Sequence, residues 1–110
     1  MKILREYGIE NKMDKYNLSN ATGTNMSELI GQRIEVKAYL LVEDVDRNTG
    51  ELKKALKVLT PDGDIIGTRS QSFIEGFETF LTFMECDEIH SMGVEQARSK
   101  AGRNYLTFRA

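Results

Sequence analysis

Residues 72–84 read SFIEGFETFLTFM, and their spacing decides how the rest of the chain is parsed. Phe73, Ile74, Phe77, Phe80, Leu81 and Met84 recur at helical intervals and form an apolar stripe along one side of a helix. Ser72 followed by Glu75 matches a capping box, in which hydroxyl and carboxylate satisfy two N–H groups that the first turn leaves unpaired. Glu75, Glu78 and Glu85 fall off the stripe, toward solvent. Gly76 costs ~1 kcal/mol relative to Ala inside a helix, and burial of the stripe should outweigh it. The aromatic residues are expected to plug a core rather than to line a ligand pocket.

Away from this helix the period drops to two. Ile34, Val36, Ala38, Leu40 and Val42 alternate with Arg33, Glu35, Lys37, Tyr39 and Leu41, as in a half-buried strand. Asp46-Arg47-Asn48-Thr49-Gly50 supplies turn residues. A second strand runs from Leu52 to Thr60, with Leu56 and Val58 inward and Lys53, Ala55 and Lys57 outward. Pro61-Asp62-Gly63 is a tight turn, and a third strand covers Asp64 to Arg69. After the helix and a loop at 86–93, Val94–Arg98 and Arg103–Arg109 form a hairpin around Ser99-Lys100-Ala101-Gly102. Leu106 and Phe108 point inward there, and Tyr105, Thr107 and Arg109 outward.

The order is three strands, one helix and two strands. The expected fold is mostly β: a five-stranded OB-like barrel with one capping helix between strands 3 and 4. A plain sheet with one helix packed on it gives the same string. Residues 31–110 form this domain. Residues 1–30 are expected to be an N-terminal arm or irregular segment, with a short strand near Ile3-Leu4 and Tyr16–Leu18. A loop follows through Asn17, Ser19, Asn20, Thr22, Gly23, Thr24 and Asn25.

The 110 residues suffice for one domain, and 40% hydrophobic with 29% charged content excludes wholesale disorder. No apolar run approaches the roughly 18 residues of a membrane span. Met1-Lys2-Ile3-Leu4-Arg5-Glu6 lacks the apolar stretch of a secretory signal. A cytoplasmic protein is expected. Cys86 is the single cysteine, which excludes an intramolecular disulfide. The net charge of -2 hides a polarised chain. Residues 70–90 hold Glu75, Glu78, Glu85, Asp87 and Glu88 with no base, whereas Arg98, Lys100, Arg103 and Arg109 crowd the last twenty residues against Glu95.

Three patterns for chemistry fall short. Asp44, Asp46 and Asn48 resemble the start of a calcium loop, but Thr49 stands where the sharp-turn glycine belongs and Ala55 where the bidentate Glu belongs. A hairpin turn accounts for them better. Cys86 and His90 are too few for a zinc site. As a nucleophile and base they lack an orienting partner and oxyanion donors. No phosphate-binding glycine loop is present. No metal, no cofactor and no catalysis are expected.

One constellation remains. Lys37, Tyr39, Lys53, Lys57, Tyr105 and Arg109 fall on outward strand positions, and Arg98, Lys100 and Arg103 surround the last turn. Single-strand binding needs cations to follow the phosphates and aromatic faces on which bases stack. Tyr39 and Tyr105 would stack, and the bases, with Arg69, would neutralise phosphates.

The stretches Asp62-Gly63-Asp64-Ile65-Ile66, the strand leading into the Ser72-Phe73 helix, and the closing Ala97-Arg98-Ser99-Lys100-Ala101-Gly102-Arg103-Asn104-Tyr105-Leu106-Thr107-Phe108 carry a resemblance. From Gly31 to Ala110 the chain resembles the small single-stranded DNA-binding proteins of tailed bacteriophages. The resemblance implies an OB-like fold, protection of displaced strands during phage DNA replication, no strong sequence preference and no catalysis. It assigns nucleic-acid contacts to Lys100, Arg103 and Tyr105. It does not extend to residues 1–30. Nor does the chain carry the acidic, Phe-ended tail through which host-type proteins recruit partners, ending instead in Phe108-Arg109-Ala110. Single-stranded DNA is the expected partner. RNA, a homo-oligomer joined through residues 1–30, and contacts with replication proteins stay open. The main alternative is a protein-interaction or assembly module using the same sheet face. A hydrolase or transferase built on Cys86 and His90 is the third reading.

Overall fold

In the computed structural model, residues 1–20 and 23–110 are described; Ala21 and Thr22 lie outside them. These residues form eight strands in two sheets, with two helices. The strands are β1 (Lys2–Tyr7), β2 (Thr24–Asn25), β3 (Arg33–Glu35), β4 (Ala38–Val45), β5 (Leu52–Leu59), β6 (Ile65–Thr68), β7 (Ser91–Arg98) and β8 (Asn104–Arg109). Helix α1 (Lys12–Asn20) follows β1, and α2 (Gln71–Met84) joins β6 to β7. One sheet runs β1-β4-β5-β6-β2 and the other β3-β7-β8. Among the described helices none is long and apolar enough to cross a membrane.

The strand expected over 33–42 is two strands. Val36 donates its N–H to His90 O at 2.8 Å, on the side of the second sheet, and Lys37 donates to Leu59 O at 2.8 Å, in the first. The chain pivots between these bonds, and the alternation shifts by one residue. Ile34 and Val36 face the main core from before the pivot; Tyr39 and Leu41 face it from beyond. A Cβ at Gly8 would strike Lys37 O, and Gly8 has φ of 75°, so glycine is required beside the pivot.

The main core gathers Tyr39, Leu41, Leu56 and Val58 of the first sheet, Met92, Val94 and Leu106 of the second, and the stripe of α2. Tyr39 meets the Phe77 ring edge-on at 5.0 Å between centroids. Its hydroxyl donates to Asp87 O at 2.6 Å. A smaller cluster lies on the outer face of the first sheet, where Leu18 of α1 covers Leu40 and Val42, with Ala55, Leu59 and Ile65 packed against them. Both faces of β4 are therefore buried, which is why Ala38 to Val42 form an unbroken apolar run.

Helix α2 takes the predicted apolar stripe but a different cap. Ser70 is the N-cap and accepts from Phe73 N–H at 3.3 Å, so the Ser72–Glu75 capping box does not form. Ser72 Oγ instead donates to Leu106 O at 2.8 Å and ties the helix to β8. Gly76 earns its place by packing: a Cβ there would sit 3.1 Å from Phe108 Cβ. Helix α2 thus packs on β8 and also meets β5. Among the described residues no ladder joins β6 to β8, and the sheets do not close into a barrel. The far edge of β6 is taken by β2, which pairs with it in parallel.

Residues 1–30 are not an irregular arm. β1 pairs with β4, Met26 is fully buried in the main core, and Tyr16–Leu18 is helical rather than extended. Of the expected loop, Asn17, Ser19 and Asn20 belong to α1 and Thr24 and Asn25 to β2; Thr22 lies outside the described residues.

Burial of Tyr39, with the Asp87 charge next in weight, holds its phenol above the ordinary value of 10.0, and burial followed by the Glu88 charge does the same for Tyr7. Below about pH 10 both phenols are protonated whether the chain is folded or not, and this contribution is fully present. Above it the unfolded chain loses those protons first, so stability falls as pH rises. Thermal melts across about pH 9 to 11 should show that fall, and Tyr39→Phe should flatten it. An identical slope in the variant would remove Tyr39 as the cause.

Candidate nucleic-acid interface

The outer face of the first sheet is built by parity. In β5, Leu56 and Val58 point into the core, so Lys53, Ala55 and Lys57 point out. In β6 the buried Ile66 and Thr68 leave Gly67 outward, and Arg69 follows on the same side. Glycine at 67 suits Lys57, its cross-strand partner: a Cβ there would lie 3.4 Å from Lys57 Cδ, so the aliphatic stem of Lys57 crosses that position.

Lys53, Ala55, Lys57 and Arg69 line a cleft of about 500 Å³. Val42 and Ala55 belong to its floor, Lys53, Lys57 and Arg69 supply positive charge, and Ser19 stands at the end of α1. The β4–β5 turn closes it with Asp44, Asp46, Arg47 and Asn48. A second hollow of about 220 Å³ shares Ala55, Lys57 and Arg69 and is walled by Gly23, Thr24 and Asn25. Through the shared residues the two make one groove across β5 and β6. Burial first, and the Arg69 charge second, hold the Lys57 amine below its ordinary value. Lys53 Nζ lies 3.7 Å from Glu51 Oε2, an exposed pair that solvent screens.

Asp46 is used locally. Its Oδ1 accepts from Asn48 N–H at 2.8 Å, and its backbone carbonyl from Gly50 N–H at 2.8 Å, where Gly50 has φ of 73°.

The remaining expected contacts divide. Arg98, Lys100, Arg103, Tyr105 and Arg109 all belong to the β7–β8 hairpin, on the other sheet. Its tip is held by Ser99 N–H donating to Arg103 O at 2.8 Å, and Gly102 takes φ of 83°. Lys100 and Arg103 are exposed there. Tyr105 is 40% exposed opposite the small Ala97, which leaves ring surface uncovered. Arg109 Nε donates to Glu95 Oε1 at 3.1 Å, and Arg98 Nε to Gly102 O at 3.4 Å. Lys37 stands apart, in the pivot near Glu10 and Asp14 rather than along the groove.

Tyr39 is the clear correction. It has 0% exposure and its ring lies inside the core against Phe77, so it has no face on which a base could stack. The phase shift at the pivot put it on the wrong side of the strand. Sequence reasoning also missed Ser19, Thr24, Asn25 and Arg47. Asn25 carried a signal, since Asn before Met26-Ser27 is a good cap residue, and its Oδ1 accepts from Ser27 N–H at 3.0 Å.

Cys86 Sγ turns to Glu88 O at 3.6 Å and His90 Nε2 to Glu88 Oε1 at 2.8 Å, so each meets Glu88. Among the described residues, no group of three or more His, Cys, Asp or Glu is placed to hold a metal ion.

Set against family models, curated proteins and solved structures, the chain has no match in any of the three.

Proposed function

We propose that this chain is a non-catalytic single-stranded DNA-binding protein on an open OB-like scaffold, and that the strand lies along the groove across β5 and β6. The scaffold reading rests on connectivity. β3 and β4 act as halves of one bent first strand, pairing with β7 and β5 respectively. A helix stands between the third and fourth strands of such a barrel, and α2 has that place between β6 and β7. OB-like proteins bind their strand on the face that Lys53, Lys57 and Arg69 occupy here. The gathering of these three cations in one groove is the observation that carries the reading. Tyr105 serves as a stacking platform from the hairpin, with Lys100 and Arg103 beside it. Protection of displaced strands during phage DNA replication is the corresponding role.

Fluorescence anisotropy with labelled dT oligonucleotides against matched duplex tests this. Micromolar or tighter binding to the single strand is expected, with weak binding to duplex. Three phosphate contacts predict a log–log salt slope of about -2. A flat salt dependence, or equal affinity for duplex, would refute the mechanism.

A protein-interaction module is favoured by a different observation. Phe83 is 84% exposed on α2, beside a hollow of about 560 Å³ that Glu75 and Thr79 also line. With Met84, 54% exposed beside it, Phe83 gives this end of α2 an apolar patch, and such patches mark protein contacts when they are contiguous. A stable protein complex with no oligonucleotide affinity would select this second reading.

A further inference from the structure

The groove is uneven in charge. Its wide end carries Asp44 and Asp46 alongside the bases, whereas among the described residues none that lines the hollow against β2 is a carboxylate. That hollow holds Lys57 and Arg69 from the sheet, with Thr24 and Asn25 from the N-terminal segment. We propose that it seats one phosphate of the bound single strand, held by Lys57 and Arg69 and completed by the Thr24 hydroxyl and the Asn25 amide. The seat rests on the single-strand reading of the groove, and it makes residues 23–25 part of the binding site.

Chemistry and size favour this ligand. The Asn25 Oδ1 is committed to Ser27 N–H at 3.0 Å, so the side chain has its Nδ2 donor to offer. Lys and Arg are donors only, and the Thr hydroxyl can donate. Donors gathered around two cations suit a phosphate oxygen better than a base edge, which presents donors and acceptors together. The volume of about 220 Å³ falls below the roughly 300–1,000 Å³ of pockets that enclose a whole small ligand. A phosphate with its sugar fits, and the base would extend toward the wider part of the groove.

The backbone is built to bring these parts together. β2 runs parallel to β6, with Thr24 opposite Ile66 and Asn25 opposite Gly67. A Cβ at Gly23 would strike Ile65 O and lie 2.6 Å from Ile65 C, so only glycine lets the segment dock this closely. Gly67 keeps the floor low beside Lys57.

Asn25→Asp is the discriminating variant. It keeps the cap acceptor for Ser27 N–H, since Asp caps as well as Asn, but brings a carboxylate to the seat. Two readouts are needed: amide chemical shifts during titration with inorganic phosphate, and dT affinity against salt. In the wild-type protein phosphate should shift the amides of Thr24, Asn25 and Gly67. In Asn25→Asp those shifts should vanish, dT affinity should fall about tenfold, and the salt slope should shrink by about 0.7. Arg69→Gln should reproduce these losses without touching β2. Unchanged dT binding in both variants would overturn the seat and leave the single-strand reading standing. Phosphate shifts at the seat without any dT binding would overturn that reading, and with it the assignment of the seat to a strand phosphate. Neither phosphate shifts nor dT binding would overturn both.

Discussion

Replacing Tyr39 with Ala should destabilise the protein by about 3–5 kcal/mol, the range for removing a large aromatic side chain from a packed core. The ring has 0% exposure and meets Phe77 edge-on, so its loss opens a cavity between the first sheet and α2. The hydroxyl adds to the effect, because Asp87 O loses a donor at 2.6 Å. Urea denaturation measures this directly. Tyr39→Phe separates the two parts: it keeps the ring and should cost about 1 kcal/mol for the hydrogen bond. It should leave dT affinity unchanged. Were Tyr39 a stacking residue, alanine would instead weaken binding with little loss of stability. A loss of only about a few tenths of a kcal/mol in unfolding free energy would contradict the core assignment.

Reversing charge at the groove should have the largest effect on binding. Lys57→Glu combined with Arg69→Glu replaces two cations shared by both parts of the groove with two carboxylates. Charge-assisted contacts are worth about 1.5–3 kcal/mol each, so dT affinity should fall on the order of a hundredfold or more. Lys37→Glu is the control: that residue lies off the groove and its reversal should change affinity by about twofold at most, as for a distant screened charge. A melting curve for each variant guards against loss of fold. If Lys100→Glu with Arg103→Glu cost more than the groove pair, the strand would run along the hairpin rather than across β5 and β6.

The strands and the long helix were legible because each carries a period. Strand β5 alternates cleanly, with one face in the core and one outward, and Lys53 and Lys57 were assigned to the right face for that reason. The stripe from Phe73 to Met84 located α2 to within two residues at its start. The turns at Gly50, Gly63 and Gly102 were legible too, and all three adopt positive φ. The first strand misled because both of its faces are apolar. Reading one unbroken alternation through Lys37 carries the parity of Ile34 and Val36 onto Ala38, Leu40 and Val42, whereas the pivot reverses it. Helix α1 was missed because its polar sequence has one buried residue, Leu18, and no stripe to announce it. Strand β2 is two residues long, too short for any period to show. The walls that these segments add to the groove arise from tertiary placement: no local pattern pointed to Ser19 or Thr24, and the cap signal at Asn25 spoke of a helix start rather than of a groove wall.

The split first strand has a consequence for how the protein comes to be made. Arg33 meets Ser91 across 58 positions of chain, and the second sheet cannot begin on β3 until β7 has emerged from the ribosome. The meander β4-β5-β6 can form earlier, from neighbours in sequence. During synthesis that meander waits with its inner face, Tyr39, Leu41, Leu56 and Val58, bare until α2 and β7 arrive to cover it. Pairings of such long separation close slowly and expose apolar surface while they do. A nascent chain stalled before residue 91 should therefore be sticky and protease-sensitive, and chaperone demand should be concentrated in that interval of translation.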